Sequence, residues 1–101
     1  MDPVVGTEIA KRRPGLIISN DAGNRVSSRV IIAPLTSQGV RRVYPFEVLV
    51  QDGEAGLTES SKVLLNQLRA IDKQRLGRLI GTLSPERMAQ VDRAIRISLA
   101  V

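Results

Sequence analysis

The chain has 101 residues, no cysteine and no histidine, a formal net charge of +5, and 43% apolar residues. That length predicts one domain with a single modest core, and the apolar content excludes a disordered chain. The missing residue types remove disulfides, thiolate metal sites, the commonest metal ligand and the commonest general base, which leaves Arg, Lys, Glu, Asp, Ser, Thr and Tyr for any catalysis.

In chain order, "DPVVGTEIAKRRP" (2 to 14) reads as a loop, broken by Pro and Gly and holding no period. "GLIISN" (15 to 20) is a nearly all-apolar run with two β-branched isoleucines, the pattern of a strand buried on both faces. "DAGNRVSS" carries turn chemistry in Asp21, Gly23 and Asn24. "RVIIAPLT" (29 to 36) predicts a second buried strand, with Pro34 marking a bulge or the point where full pairing ends. After the turn "SQGVRR", "VYPFEVLV" (43 to 50) alternates as an edge-like strand, with Phe46 expected in the core. "QDGEAGLTES" then reads as a polar connection. "KVLLNQLRAI" (62 to 71) and "RLIGTL" (78 to 83) predict two further strands. Ser84 as N-cap, Pro85 in the first helical position and Glu86 in the first turn open a terminal helix. Met88, Val91, Ile95 and Leu99 recur there at helical spacing, as a face for packing on the sheet. The predicted class is mainly β with a C-terminal α-helix, a small, strongly bent antiparallel sheet or partial barrel.

Charge is distributed unevenly. Residues 11 to 42 hold seven cations (Lys11, Arg12, Arg13, Arg25, Arg29, Arg41, Arg42) against Asp21 alone, so the other residues together are near neutral. Twelve of the 15 cations are Arg, which favours planar, bidentate phosphate contacts. An anionic partner such as nucleic acid or an acidic polypeptide is implied. With one Tyr and one Phe in the chain, Tyr44 and Phe46, base stacking on aromatic platforms is poorly supported. Binding is expected to depend on Arg–phosphate contacts and to weaken with salt. No apolar run is long enough to span a bilayer and the N-terminus lacks signal-peptide layout, so the cytosol is the expected location.

The segments "DPVVGTE", "RPGLIISND", "GNR", "IIAPLTS", "YPFEV", "LLNQLRAIDKQRLGRLIGTLSPE" and "VDRAIRISL" together resemble the MazF/PemK (Kid) endoribonuclease toxins of bacterial toxin–antitoxin systems, in order and over nearly the whole chain. The resemblance implies an SH3-like partial barrel with a C-terminal helix, a homodimer, and a cognate MazE-like antitoxin that blocks the RNA groove. It also implies sequence-specific, metal-independent cleavage of single-stranded RNA by 2′-hydroxyl attack, with no cofactor. Members usually begin with a further strand ahead of the Asp-Pro, which this sequence, starting Met1-Asp2-Pro3, lacks.

By that resemblance Arg13 matches the catalytic arginine and Thr36 the catalytic threonine. Glu8 is the nearest carboxylate for a proton-accepting or base-reading role. Lys11 and Arg12 are RNA-binding candidates as electrostatic support, and Arg25, Ser37, Gln67, Asn20 and Asn24 are further candidates for RNA contacts. Gln and Asn amides can read base edges because they offer both donor and acceptor. The Kid branch's acid–base pair falls on Leu64 and Asn66 here, so that variant of the mechanism does not transfer. Two other readings remain at this point: a non-catalytic protein-binding module on the same fold, as in the gyrase-poisoning toxins, and a basic domain that merely associates with nucleic acid.

Overall fold

A computed structural model describes residues 4–8, 13–18 and 27–100. Among these described residues, seven strands and one helix follow in the order β1 Val4–Glu8, β2 Pro14–Ile17, β3 Arg29–Thr36, β4 Glu47–Val50, β5 Ser61–Leu64, β6 Arg69–Asp72, β7 Leu76–Thr82 and α1 Pro85–Leu99. Single 3₁₀ turns sit at Glu54–Gly56 and Lys73–Arg75. Every pairing is antiparallel, in the order β4-β5-β3-β2-β1-β7, with β6 also on β3.

The eight-residue β3 organises the sheet. Its first half, Arg29 to Ile32, pairs with β6, and its last two residues, Leu35 and Thr36, pair with β5. The change of partner falls across Ala33 and Pro34, where a proline without an N–H was expected to end full pairing. The β2 run is buried on both faces as its composition predicts: Leu16 joins the main core, and Ile17 joins a second cluster with Val30, Ile32 and Ile71. The main core runs from Val5 and Leu35 through Val48, Val50, Val63 and Leu65 to Val91 and Ala94 of α1.

The helix begins as its sequence dictates. The Ser84 hydroxyl accepts the Arg87 N–H at 3.2 Å, with Pro85 in the first turn. Its buried face is Val91 and Ala94, with Met88 and Ile95 packed beside them. Leu99, expected on that face, is instead 57% exposed. The Ser98 hydroxyl donates to the Leu65 carbonyl at 3.0 Å and holds the last turn to the sheet.

Four other expectations need correction. The predicted opening loop contains β1, which lies between β2 and β7. Gly6 reads as a breaker, yet it is buried where a Cβ would stand 3.2 Å from the Leu79 side chain. The 43 to 50 strand is only its second half. Residues 44 to 47 form a turn in which Glu47 N–H donates to the Tyr44 carbonyl at 2.9 Å and the Glu47 carboxylate accepts the Tyr44 N–H at 3.0 Å. Phe46 is half-buried outside the core clusters, stacked on Tyr44 with ring centroids 5.6 Å apart. The 62 to 71 run is two strands separated by a turn closed by Gln67 N–H on the Leu64 carbonyl, with Leu65 fully buried inside it.

Among the described residues the sheet does not close on itself. Beside β7 the Glu54–Gly56 turn lies backbone against backbone: a Cβ on Gly81 would overlap the Ala55 carbonyl, and one on Gly56, whose φ is +76°, would overlap the Ile80 carbonyl. Gly81→Ala is therefore expected to destabilise the protein by roughly 3 kcal/mol, as overpacking against backbone that cannot step aside. Urea denaturation monitored by circular dichroism checks this.

The same turn is tied to α1 by a bidentate pair: Arg87 Nε and Nη2 donate to the two Glu54 carboxylate oxygens at 3.0 and 3.1 Å. These hydrogen bonds hold the Glu54 carboxyl below its ordinary value of 4.5 despite the opposing effect of burial. A lowered folded value makes the contribution complete above about pH 4.5 and progressively lost as pH falls from there through the lower folded value. Glu54 is 37% exposed, so the gap between wild type and Glu54→Gln is about 1 kcal/mol or less at pH 7 and narrows below pH 4.5. Denaturant midpoints measured from pH 3 to 7 check it.

Candidate active-site groove

Antiparallel alternation brings four strand ends to one end of the sheet. Thr36 closes β3, Arg13 immediately precedes β2, Thr7 and Glu8 close β1, and Gly77 and Arg78 lie near the start of β7. Because the strand order is β3-β2-β1-β7, these residues form a row across the sheet, in register through the Thr7–Pro14 pair. Three strand spacings make that row about 14 Å long. The row borders a groove of about 800 Å³, which the segment from Gly56 to Glu59, with Ser61, also lines.

At one end of the row, Thr36 is half-buried and its Oγ1 accepts the Gln38 N–H at 3.1 Å. That bond occupies a lone pair of the hydroxyl and leaves its proton for donation into the groove. Ser37 and Gln38 line the same end. Thr36 is also the register partner of Lys62, a nearly buried cation. Lys62 Nζ donates to the Glu47 carboxylate at 2.9 Å and to the Arg42 carbonyl at 3.0 Å, and lies 5.6 Å from the centre of the Tyr44 ring. This cluster fixes the Arg42–Glu47 segment to the strand beside Thr36.

Arg13 is exposed and has no ion-pair partner among the described residues. A guanidinium within the same groove as a hydroxyl is an anion site by its chemistry: the fork fits two phosphate oxygens and the hydroxyl can add a third donor.

Of the residues singled out from sequence, Arg13, Thr36 and Ser37 line the groove together. For Glu8 the description extends to the backbone, which pairs with Leu76 at the end of β1. Lys11, Arg12, Asn20, Asn24 and Arg25 lie outside the described residues. Gln67 is exposed in the β5–β6 turn and does not line this groove. Sequence reading missed Thr7, Thr58, Glu59 and Arg78, all of which line it. A local charge count could have found Arg78, because Arg69, Lys73, Arg75 and Arg78 stand against Asp72 alone within ten residues. Averaging over the near-neutral remainder of the chain hid that cluster.

The chain is similar to several known proteins. Residues 1–99 match the family model described as the PemK-like, MazF-like toxin of type II toxin–antitoxin systems. Endoribonuclease EndoA of Bacillus subtilis is 44% identical over 101 residues, which span all of this chain and 87% of that protein. Among solved structures, the Mycobacterium tuberculosis toxin MazF-mt6 superposes with a TM-score of 0.86 at 28% identity, covering 98% of this chain and 97% of that one. A mycobacterial endoribonuclease in complex with its cognate antitoxin superposes with a TM-score of 0.81 at 26% identity, covering 99% and 92%.

Proposed function

The chain belongs to the PemK-like, MazF-like toxin family of type II toxin–antitoxin systems, and on that premise we propose that it is a sequence-specific endoribonuclease that cuts single-stranded RNA in the groove between Arg13, Thr36 and the Gly56–Ser61 wall. The observation that carries this reading is the placement, in one groove, of a guanidinium unpaired among the described residues and a hydroxyl whose recorded hydrogen bond is one it accepts, in a protein whose relatives are named endoribonucleases.

The reaction needs few parts. The ribose 2′-oxygen attacks the adjacent phosphorus and loses its proton. The P–O5′ bond breaks, and the departing 5′-oxygen gains a proton. The products are a 2′,3′-cyclic phosphate and a 5′-hydroxyl. Arg13 holds the non-bridging oxygens, whose charge grows in the transition state, and the Thr36 hydroxyl donates to the same phosphate. Glu8, closing the strand next to Arg13, is the carboxylate assigned to accept the 2′-proton. A chain without His or Cys suits an Arg–Thr–carboxylate site that works without a metal.

Residues 1–101 then act as one toxin domain, paired as a homodimer in the cytosol and silenced by a cognate MazE-like antitoxin laid over the groove. Incubation of the purified protein with a long single-stranded RNA in EDTA tests it. Discrete cuts bearing 5′-hydroxyl ends are expected. Intact RNA from a folded protein would remove the catalytic reading and leave a non-catalytic binding module.

A further inference from the structure

On β7 the ladder with β1 is irregular. Gly6 pairs with Leu79 and Glu8 with Leu76, so Gly77 and Arg78 together oppose Thr7 alone. This is a β-bulge, the device that re-aims a side chain at the rim of a sheet. The bulge is locked at Arg78 itself: the Thr7 hydroxyl accepts the Arg78 N–H at 3.0 Å and donates to the Arg78 carbonyl at 3.3 Å. Both backbone polar groups of one exposed arginine are thus held by one side chain 71 residues away. Its guanidinium has no hydrogen-bond or ion-pair partner among the described residues, yet Arg78 lines the groove. A surface arginine needs no such bracing for solubility.

Position within the row separates Arg78 from the reacting end. Thr36 and Arg13 stand at β3 and β2, whereas Arg78 stands beyond β1, at the opposite end of the row. We infer that the bulge presents Arg78 as a second anion subsite, one that takes a backbone phosphate of the RNA flanking the one that is cleaved. The inference rests on the ribonuclease reading above. Arg78 is then a substrate-binding residue: it sets how firmly and in which direction the strand lies along the groove, and it takes no part in bond breaking.

The test uses a fluorescently labelled RNA oligonucleotide spanning a site that the wild-type protein cuts, with 2′-O-methyl groups so that it binds without being cleaved. Affinity is titrated from 50 to 300 mM salt for wild type, Arg78→Gln and Arg78→Lys. One lost phosphate contact on a single strand lowers the log–log salt slope by about 0.7. Arg78→Gln is expected to show that decrease, with about tenfold weaker binding at low salt and an equal rise in KM on cleavable RNA at unchanged kcat. Arg78→Lys keeps the charge and restores the slope. An unchanged slope and KM in Arg78→Gln, or a loss confined to kcat, overturns the subsite while leaving the ribonuclease reading intact. A folded wild-type protein that neither binds nor cuts RNA overturns both.

Discussion

Arg13→Ala is expected to lower the rate of RNA cleavage by about 10²–10³-fold, the cost of removing one preorganised donor from a developing oxyanion. The loss should fall mainly on kcat, because charge on the phosphate oxygens grows between the bound substrate and the transition state. Stability should change by no more than about 0.5 kcal/mol. Arg13 is exposed and unpaired among the described residues, so its removal strands no buried partner. Single-turnover cleavage and a thermal melt of the same preparation separate the two effects. A variant that melts normally and cuts at more than half the wild-type rate would mean that the scissile phosphate is held elsewhere.

Lys62→Met is expected to cost about 3–5 kcal/mol of folding stability, a large share of the roughly 5–15 kcal/mol that holds a domain of this size together. The Glu47 side chain is 7% exposed and the Lys62 side chain 10% exposed, so the pair is shielded from water. Methionine fills the volume of the lysine stem but leaves the Glu47 carboxylate buried without its cation. It also removes the donor to the Arg42 carbonyl. Replacing both partners, as Lys62→Met with Glu47→Gln, should recover much of the loss, because the largest cost is the unpaired charge and not the absent attraction. Urea unfolding of the two single variants and the double variant forms the thermodynamic cycle that checks this. Equal losses in single and double variants would show that the pair packs the Arg42–Glu47 segment without electrostatic consequence.

The family was legible in the sequence because matching segments run in order over nearly the whole chain, and several elements were legible from local signals. "RVIIAPLT" is a strand with the bounds its composition predicts, and Pro34 marks the exchange of partners. Ser84-Pro85-Glu86 opens the helix where capping chemistry puts it. "RPGLIISND" and "IIAPLTS" carry Arg13 and Thr36, which the fold brings into one groove although they are far apart in the chain.

What was not legible depends on distant contacts. β1 reads as a loop because Gly6 and Pro3 look like breakers, and only its two flanking strands make it a strand. The break within 62 to 71 follows from Leu65 turning into the core, which an apolar run by itself does not announce. Lys62 and Glu47 look like ordinary surface charges until adjacent strands bury them against each other. Thr7 has no local signature, and although local charge marks Arg78, nothing local announces the bulge that joins the two, since it spans most of the chain.

The most direct measurement is a structure of the protein bound to the 2′-O-methyl RNA. The proposed groove predicts the sugar–phosphate backbone along the row Thr36–Arg13–Thr7–Arg78, with one phosphate within hydrogen-bond distance of both Arg13 and the Thr36 hydroxyl. RNA lying on any other face, with those two residues free of phosphate, would contradict it.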